Sequence, residues 1–184
     1  MSSRHVRSAA IPPVFSATII GFYERQLCEG ITPMLLRIAP ATLSDQDSLL
    51  LLMRKMQDDD PWSEPFHDDI VCSSVKQLLE NPAYGLAYLV WDADRPVAYL
   101  VVCFDYSLEY RGKGAWIDEL FVEPSHRGQG IGTQLLDLAE TAPREQRAHF
   151  LHLEVSHGNR AIELYWRRGF VDHHRYLMTK PLNA

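Results

Sequence analysis

The sequence predicts a mixed α/β fold, helices packed on a mixed sheet, from three observations. β-rich runs such as YGLAYLVW, PVAYLVVCF and AWIDELFV are interleaved with segments whose apolar residues recur at helical spacing. Proline, glycine and asparagine mark the breaks between them. The resulting order, β-α-α-β-β-β-α-β-α-β, suits neither an all-helical nor an all-strand chain.

Each element has a local reason. MLLRIAPAT (34 to 42) reads as a short strand leading to Ser44 or Asp45, either able to cap the helix DQDSLLLLMRKMQ. The acidic, aromatic stretch DDDPWSEPFHDD (58 to 69) breaks that helix at Pro61 and precedes a second helix from Ile70 to Glu80, ended by Asn81-Pro82. Two β-rich runs joined by DADR form a hairpin. A third run, 115 to 122, follows the turn-like YRGKG. In the next helix Ile131, Leu135, Leu138, Ala139 and Ala142 share one face, and Pro143 closes it. HFLHLEV (149 to 155) is a fifth strand, RAIELYWRRGF (160 to 170) a helix stopped by Gly169, and HHRYLMTKPL a last strand.

Composition bounds what such a chain does. With 184 residues, 46% of them apolar, one domain with a full core is expected over residues 34 to 184, preceded by a segment of residues 1 to 33 that is partly ordered or disordered. A signal peptide is disfavoured there, because Pro12 and Pro13 interrupt the apolar stretch and no clean cleavage site follows. The formal charge of −6 argues against general affinity for nucleic acid or anionic membrane. No apolar run approaches the roughly 20 residues that cross a bilayer. Cys28, Cys72 and Cys103 are odd in number and lack zinc-site spacing, which suits a reducing cytoplasm. His149 and His152, three apart in a strand, face opposite sides, so no metal site is expected among the clustered histidines.

The stretch HRGQGIGTQLL (126 to 136) carries three glycines at alternate positions and opens a helix. A strand, a bare turn and a helix start present a row of free N–H groups at the positive helix end, which makes an anion site. The dinucleotide pattern fails because Thr133 stands where glycine or alanine is needed, and the Walker A pattern fails for want of Gly-Lys-Ser/Thr. A glycine-rich turn without a ligand is the alternative.

Arg127-Gly128-Gln129-Gly130-Ile131-Gly132 resembles the R/Q-x-x-G-x-G/A motif of the GNAT superfamily of N-acetyltransferases. WIDELFVEPSHRGQGIGTQLL is similar to that family's fourth strand, turn and third helix, with a particular likeness to its polyamine and other small-amine members. AIELYWRRGF resembles its fourth helix. The likeness runs from about Met34 to Leu182. It implies a mostly antiparallel central sheet splayed between strands 4 and 5, with helices on both faces. It also implies acetyl-coenzyme A as cosubstrate, with no metal. The pantetheine arm is expected along the backbone of Leu120, Phe121 and Val122, and the pyrophosphate at Arg127 and Gly128 to Thr133, through Gln129, Gly130, Ile131 and Gly132. N–H groups near Val122 would polarise the thioester carbonyl.

An alkylamine is protonated in all but roughly one molecule in 2,500 at pH 7, so a base must remove a proton before the nitrogen can attack. The family resemblance puts that base at Asp118, with Glu119 as fallback; strand alternation points the two to opposite faces. It also gives Tyr165 the task of protonating the leaving thiolate, which suits a phenol that stays protonated at neutral pH. In one departure the family's cofactor-binding asparagine would fall at Gly158, and Asn159 lies one position late. Arg160, Arg167 and Arg168 are candidates for the coenzyme's 3′-phosphate or for solvated surface positions.

The acceptor is expected to be a small amine such as a polyamine, amino sugar or amino acid. The acidic stretch around Trp62 and Phe66 is read as its cradle or as a solvated loop, and Tyr106 and Tyr110 as further wall residues. Acetylation of a protein lysine or N-terminus, and acyl-coenzyme A sensing without turnover, are the alternatives. Relatives often dimerise through their last strands, so a homodimer is an expectation as well.

Overall fold

The computed structural model describes residues 36–62 and 64–182; the N-terminal segment assigned to residues 1 to 33 lies outside them. Five strands form one sheet in chain order, β1 (Leu36–Pro40), β2 (Gly85–Asp92), β3 (Arg95–Ser107), β4 (Gly112–Val122) and β5 (Leu151–Leu153). The first four are antiparallel neighbours and β5 runs parallel to β4. The hairpin expected at DADR closes with Asp92 opposite Arg95.

Helices cover both faces, because successive residues of β3 point to opposite sides. Ala98, Leu100 and Val102 meet Ile131, Leu135, Leu136 and Ala139 of α3 (Ile131–Glu145) and Tyr165 of α4 (Ile162–Arg167). Tyr99 and Val101 meet Leu49, Leu52 and Met53 of α1 (Gln46–Asp59) and Val71 and Val75 of α2 (Asp68–Glu80). A mixed, mostly antiparallel sheet between helix layers is therefore the observed architecture.

The parallel pairing of β4 with β5 runs from Ala115/Leu151 to Ile117/Leu153 and then stops. β4 continues to Val122, paired only with β3. The two strands thus part beyond Ile117, as the family likeness implied, and residues 118 to 122 have no paired strand on the β5 side among the described residues.

The last strand is a correction. Residues 170 to 182 form no strand. They are held by Arg175 against Glu109 at 3.2 Å and by a long His173–Tyr110 contact of 3.5 Å. Tyr176 and Met178 are 95% and 88% exposed, so the β-rich pattern of this segment has no sheet neighbour to realise it within the described residues. The other differences concern element ends. Pro143 sits inside the last turn of α3 rather than stopping it, and α2 starts two residues early, at Asp68.

Candidate active site

The site begins with a fault in a strand. Val101 of β3 faces Glu119, and Val102 faces Ile117, so Asp118 is the extra residue of a β-bulge. The bulge shifts the phase of β4. Before it Ala115 and Ile117 face the α3 side; after it Leu120 and Val122 do, while Phe121 turns to α1 and α2. Asp118 and Glu119 therefore come to one side, against the expectation from simple alternation. Both line a cavity of about 240 Å³ bounded by α1, α2, β3 and β4.

This setting changes the acidity of both carboxyls. Burial pushes Glu119 up to about 7, and the neighbouring Asp118 charge adds to the rise; hydrogen bonds from Tyr99 and Trp62 act the other way. The Tyr99 hydroxyl donates to Glu119 Oε2 at 3.0 Å. Asp118, more open to solvent at residue level, is also raised, by partial desolvation opposed by a bond from Cys103. Burial first, then Asp118, pushes the Cys103 thiol up to about 12, so it stays protonated.

The turn after β4 has the geometry of an anion cradle. Gly128 and Gly130 adopt φ of 74° and 83°, left-handed conformations that glycine reaches without strain. Gly130 caps α3, and the first N–H bonded in the helix is that of Gln134, to Gly130 O at 3.1 Å. The N–H groups of Ile131, Gly132 and Thr133 are left without a helical acceptor. A Cβ on Gly128 would meet no atom within 4 Å, so the backbone there is open to close approach. Arg127 is not free: its Nε donates to Val122 O at 2.9 Å and its guanidinium pairs with Asp59.

Asp59 belongs to an acidic clasp over the splay. Its neighbour Asp60 accepts from Ser156 Oγ at 3.1 Å and from Asn159 Nδ2 at 3.2 Å, both in the loop before α4. Asn159 also accepts the Ala161 N–H at 2.9 Å through Oδ1, so the displaced asparagine shapes the α4 entry and tethers the acidic segment. Tyr165 is buried against the sheet, 9% exposed, with its ring edge-on to Phe170. Burial, then the nearby Asp60 charge, raises its pKa, which keeps the phenol protonated.

Other candidates are engaged elsewhere. Arg168 pairs with Asp137 at 2.5 Å and with Glu140 at 2.7 Å, tying α4 to α3. Asp68 pairs with Arg54 at 2.7 Å. Of the acidic stretch only Trp62 lines the cavity. Trp62 stacks near Phe66 with ring centres 5.2 Å apart, and both pack on the α1/α2 core, so the aromatic part of the loop is structural wall. Tyr106 is 74% exposed, and Tyr110 packs on Phe150 and His152; neither lines the cavity. Among the described residues no cluster of three metal-ligating side chains occurs.

Sequence reasoning missed four side chains. Tyr99 and Cys103 read as ordinary strand residues, yet they contact the two carboxyls. Glu123 and His126 are buried at the foot of the turn. Glu123 pairs with Lys55 and, at 3.4 Å, with Arg95, while His126 lies 2.8 Å from Ser125 Oγ and 3.3 Å from Asp92. This network fixes how the chain leaves β4 for the cradle. The only advance sign was the slip of the apolar positions in AWIDELFV from odd numbers to even.

Fourth and fifth strands that part, a bare turn feeding a helix and a bulge carrying two carboxyls are thus brought together in one fold. Residues 49–170 match the model of the Acetyltransferase (GNAT) family, and the chain belongs to that family. It is 31% identical over 77 residues to thialysine N-epsilon-acetyltransferase of Bos taurus, covering 41% of this chain and 45% of that protein. It is 45% identical over 56 residues to streptothricin acetyltransferase of Streptomyces lavendulae, covering 30% of each. The matches thus span less than half the length of these two curated relatives. Among solved structures, an integron cassette protein from the mobile metagenome of Cole Harbour Salt Marsh superposes with a TM-score of 0.69 at 26% identity, covering 80% of this chain and 91% of that one.

Proposed function

We propose that the protein is an N-acetyltransferase that moves an acetyl group from acetyl-coenzyme A to the primary amine of a small molecule, by direct attack within a ternary complex. The observation that carries this is the bulge, which sets Asp118 and Glu119 together in the lining of a cavity, at the point where β4 loses its pairing with β5. The family membership and the small-amine acetyltransferases among the relatives support the acceptor class.

The cradle suits a diphosphate: left-handed glycines, open space over Gly128 and N–H groups at the start of α3. Leu120, Phe121 and Val122 lie where β4 has lost β5 and offer backbone to the carrier's arm. Bound acetyl-coenzyme A supplies the acyl group as a thioester.

Glu119 takes a proton from the substrate ammonium, because a base with a pKa near 7 is half ionised at neutral pH and still strong enough to accept it. This gives the fallback residue the base role. Asp118, at the same side, holds the ammonium by charge before the transfer. The nitrogen lone pair then forms the new C–N bond, the C–S bond breaks as the Tyr165 hydroxyl protonates the departing sulfur, the nitrogen's second proton passes to solvent, and Glu119 releases the first when the product leaves. The phenolate recovers its proton from solvent. Arg127 exchanges Asp59 for a phosphate oxygen when the coenzyme arrives. The proposal includes a cytoplasmic location and a homodimer contact through the exposed Tyr176, Leu177 and Met178. Among the described residues no helix is long and apolar enough to cross a membrane.

Thiol release from acetyl-coenzyme A, followed with and without primary amines, tests the reaction: amine-dependent release of one thiol per acetylated product is expected, and amine-independent or absent release contradicts it. Asp59→Asn tests the cradle. Removing a competing carboxylate from a half-exposed pair is worth about 0.2–1 kcal/mol, so coenzyme affinity rises by about 1.4- to fivefold by calorimetry. An unchanged or weaker affinity would place Arg127 outside the phosphate site.

A further inference from the structure

We propose that the acceptor is a compact monoamine with an apolar body, such as a short alkylamine or arylalkylamine, and that the site discriminates against diamines, aminoglycosides and amino acids. This rests on the amine-acetylation reading above and narrows it. The cavity, about 240 Å³ and lined mainly by hydrocarbon away from the two acids, suits a compact apolar body better than a multi-ring, hydroxyl-rich sugar. Its charged groups, Asp118 and Glu119, sit together on β4. The walls from α1 and α2 are Leu49, Met53, Val75 and Leu78, and Val101 lies beside Glu119 on β3.

That distribution has two consequences. An acceptor whose reacting nitrogen lies at the carboxylates must lay its remaining atoms against hydrocarbon, and a second ammonium there would be desolvated without a partner. Among the described residues no lining side chain is cationic, so a substrate carboxylate would also be unpaired, and it would be repelled by the two acids. The acidic loop offers little remedy: among the described residues none of its carboxylates lines the cavity, and Asp59, Asp60 and Asp68 are bonded to Arg127, to Ser156 and Asn159, and to Arg54. Trp62 adds an aromatic face to the apolar lining.

A matched panel tests this. Hexylamine, 1,6-diaminohexane and 6-aminohexanoate share one carbon chain and differ only in the far group; 2-phenylethylamine and kanamycin extend the comparison. Wild-type kcat/KM, read as thiol release, should be at least thirtyfold higher for hexylamine and 2-phenylethylamine than for the other three. Ser74, exposed on α2 but lining the cavity, allows a converse test without disturbing the core. Ser74→Asp supplies a counter-charge and should narrow the gap between hexylamine and the diamine by tenfold or more. Wild-type preference for the diamine, the amino acid or kanamycin overturns the inference while leaving amine acetylation intact. Release with none of the five overturns both.

Discussion

Glu119→Gln loses between about a hundredfold and ten-thousandfold in kcat, the range for deleting a general base, while its affinity for acetyl-coenzyme A stays at the wild-type level. The same substitution makes the protein more stable at alkaline pH. Burial raises the Glu119 pKa from 4.5 to about 7 in the folded chain. Below pH 4.5 the carboxyl is protonated in both states. Between 4.5 and about 7 the folded state holds a proton that the unfolded state has released, so wild-type stability falls as pH rises through that window and levels off above it. Glutamine has no proton to lose. The stability difference in favour of Glu119→Gln should therefore grow from pH 5 to pH 8 by on the order of 2 kcal/mol, read from urea midpoints. A difference independent of pH would show that Glu119 is not held in a desolvating site. In the wild type, kcat/KM should rise with pH through an apparent midpoint near 7, a value that belongs to the coupled Asp118–Glu119 pair.

Tyr165→Phe loses about a hundredfold or more in kcat with little change in KM for either substrate, because the hydroxyl acts on the leaving sulfur rather than on binding. The phenol ring is what packs the core, with Phe170 edge-on at 5.9 Å. The substitution keeps that ring and removes only the hydroxyl, so it should shift stability by no more than about 0.5 kcal/mol. Loss of turnover with intact folding assigns the proton donor. Full activity would remove Tyr165 from the chemistry and leave the thiolate to be protonated by solvent.

Much of the fold could be read from the sequence because the cues were local. The DADR hairpin and the glycine turn depend on neighbours within a few residues and appear where the pattern put them, while α2 and α4 start within two residues of the expected positions. The cradle was legible for the same reason: Gly128 and Gly130 carry the left-handed angles that only their residue type makes easy. Tertiary features were harder to read. Strand alternation assumes an unbroken ladder, and the bulge at Asp118 breaks it just where β4 loses its pairing with β5. The Tyr99–Glu119 bond joins residues 20 apart on adjacent strands, and Asp60–Asn159 joins residues 99 apart, beyond any local pattern. The last strand failed because β-propensity describes a residue's fit to a neighbour, and residues 170 to 182 have none.

Calorimetric titration of the wild type and of Gly130→Val with acetyl-coenzyme A tests most directly whether the turn from Gly128 to Thr133 holds the donor. A valine at φ of 83° is strained and distorts the N–H row at the start of α3. One-to-one binding to the wild type, weakened at least tenfold in a variant that remains folded by circular dichroism, is the predicted result. No binding heat for the wild type, or equal affinity in the folded variant, would contradict it.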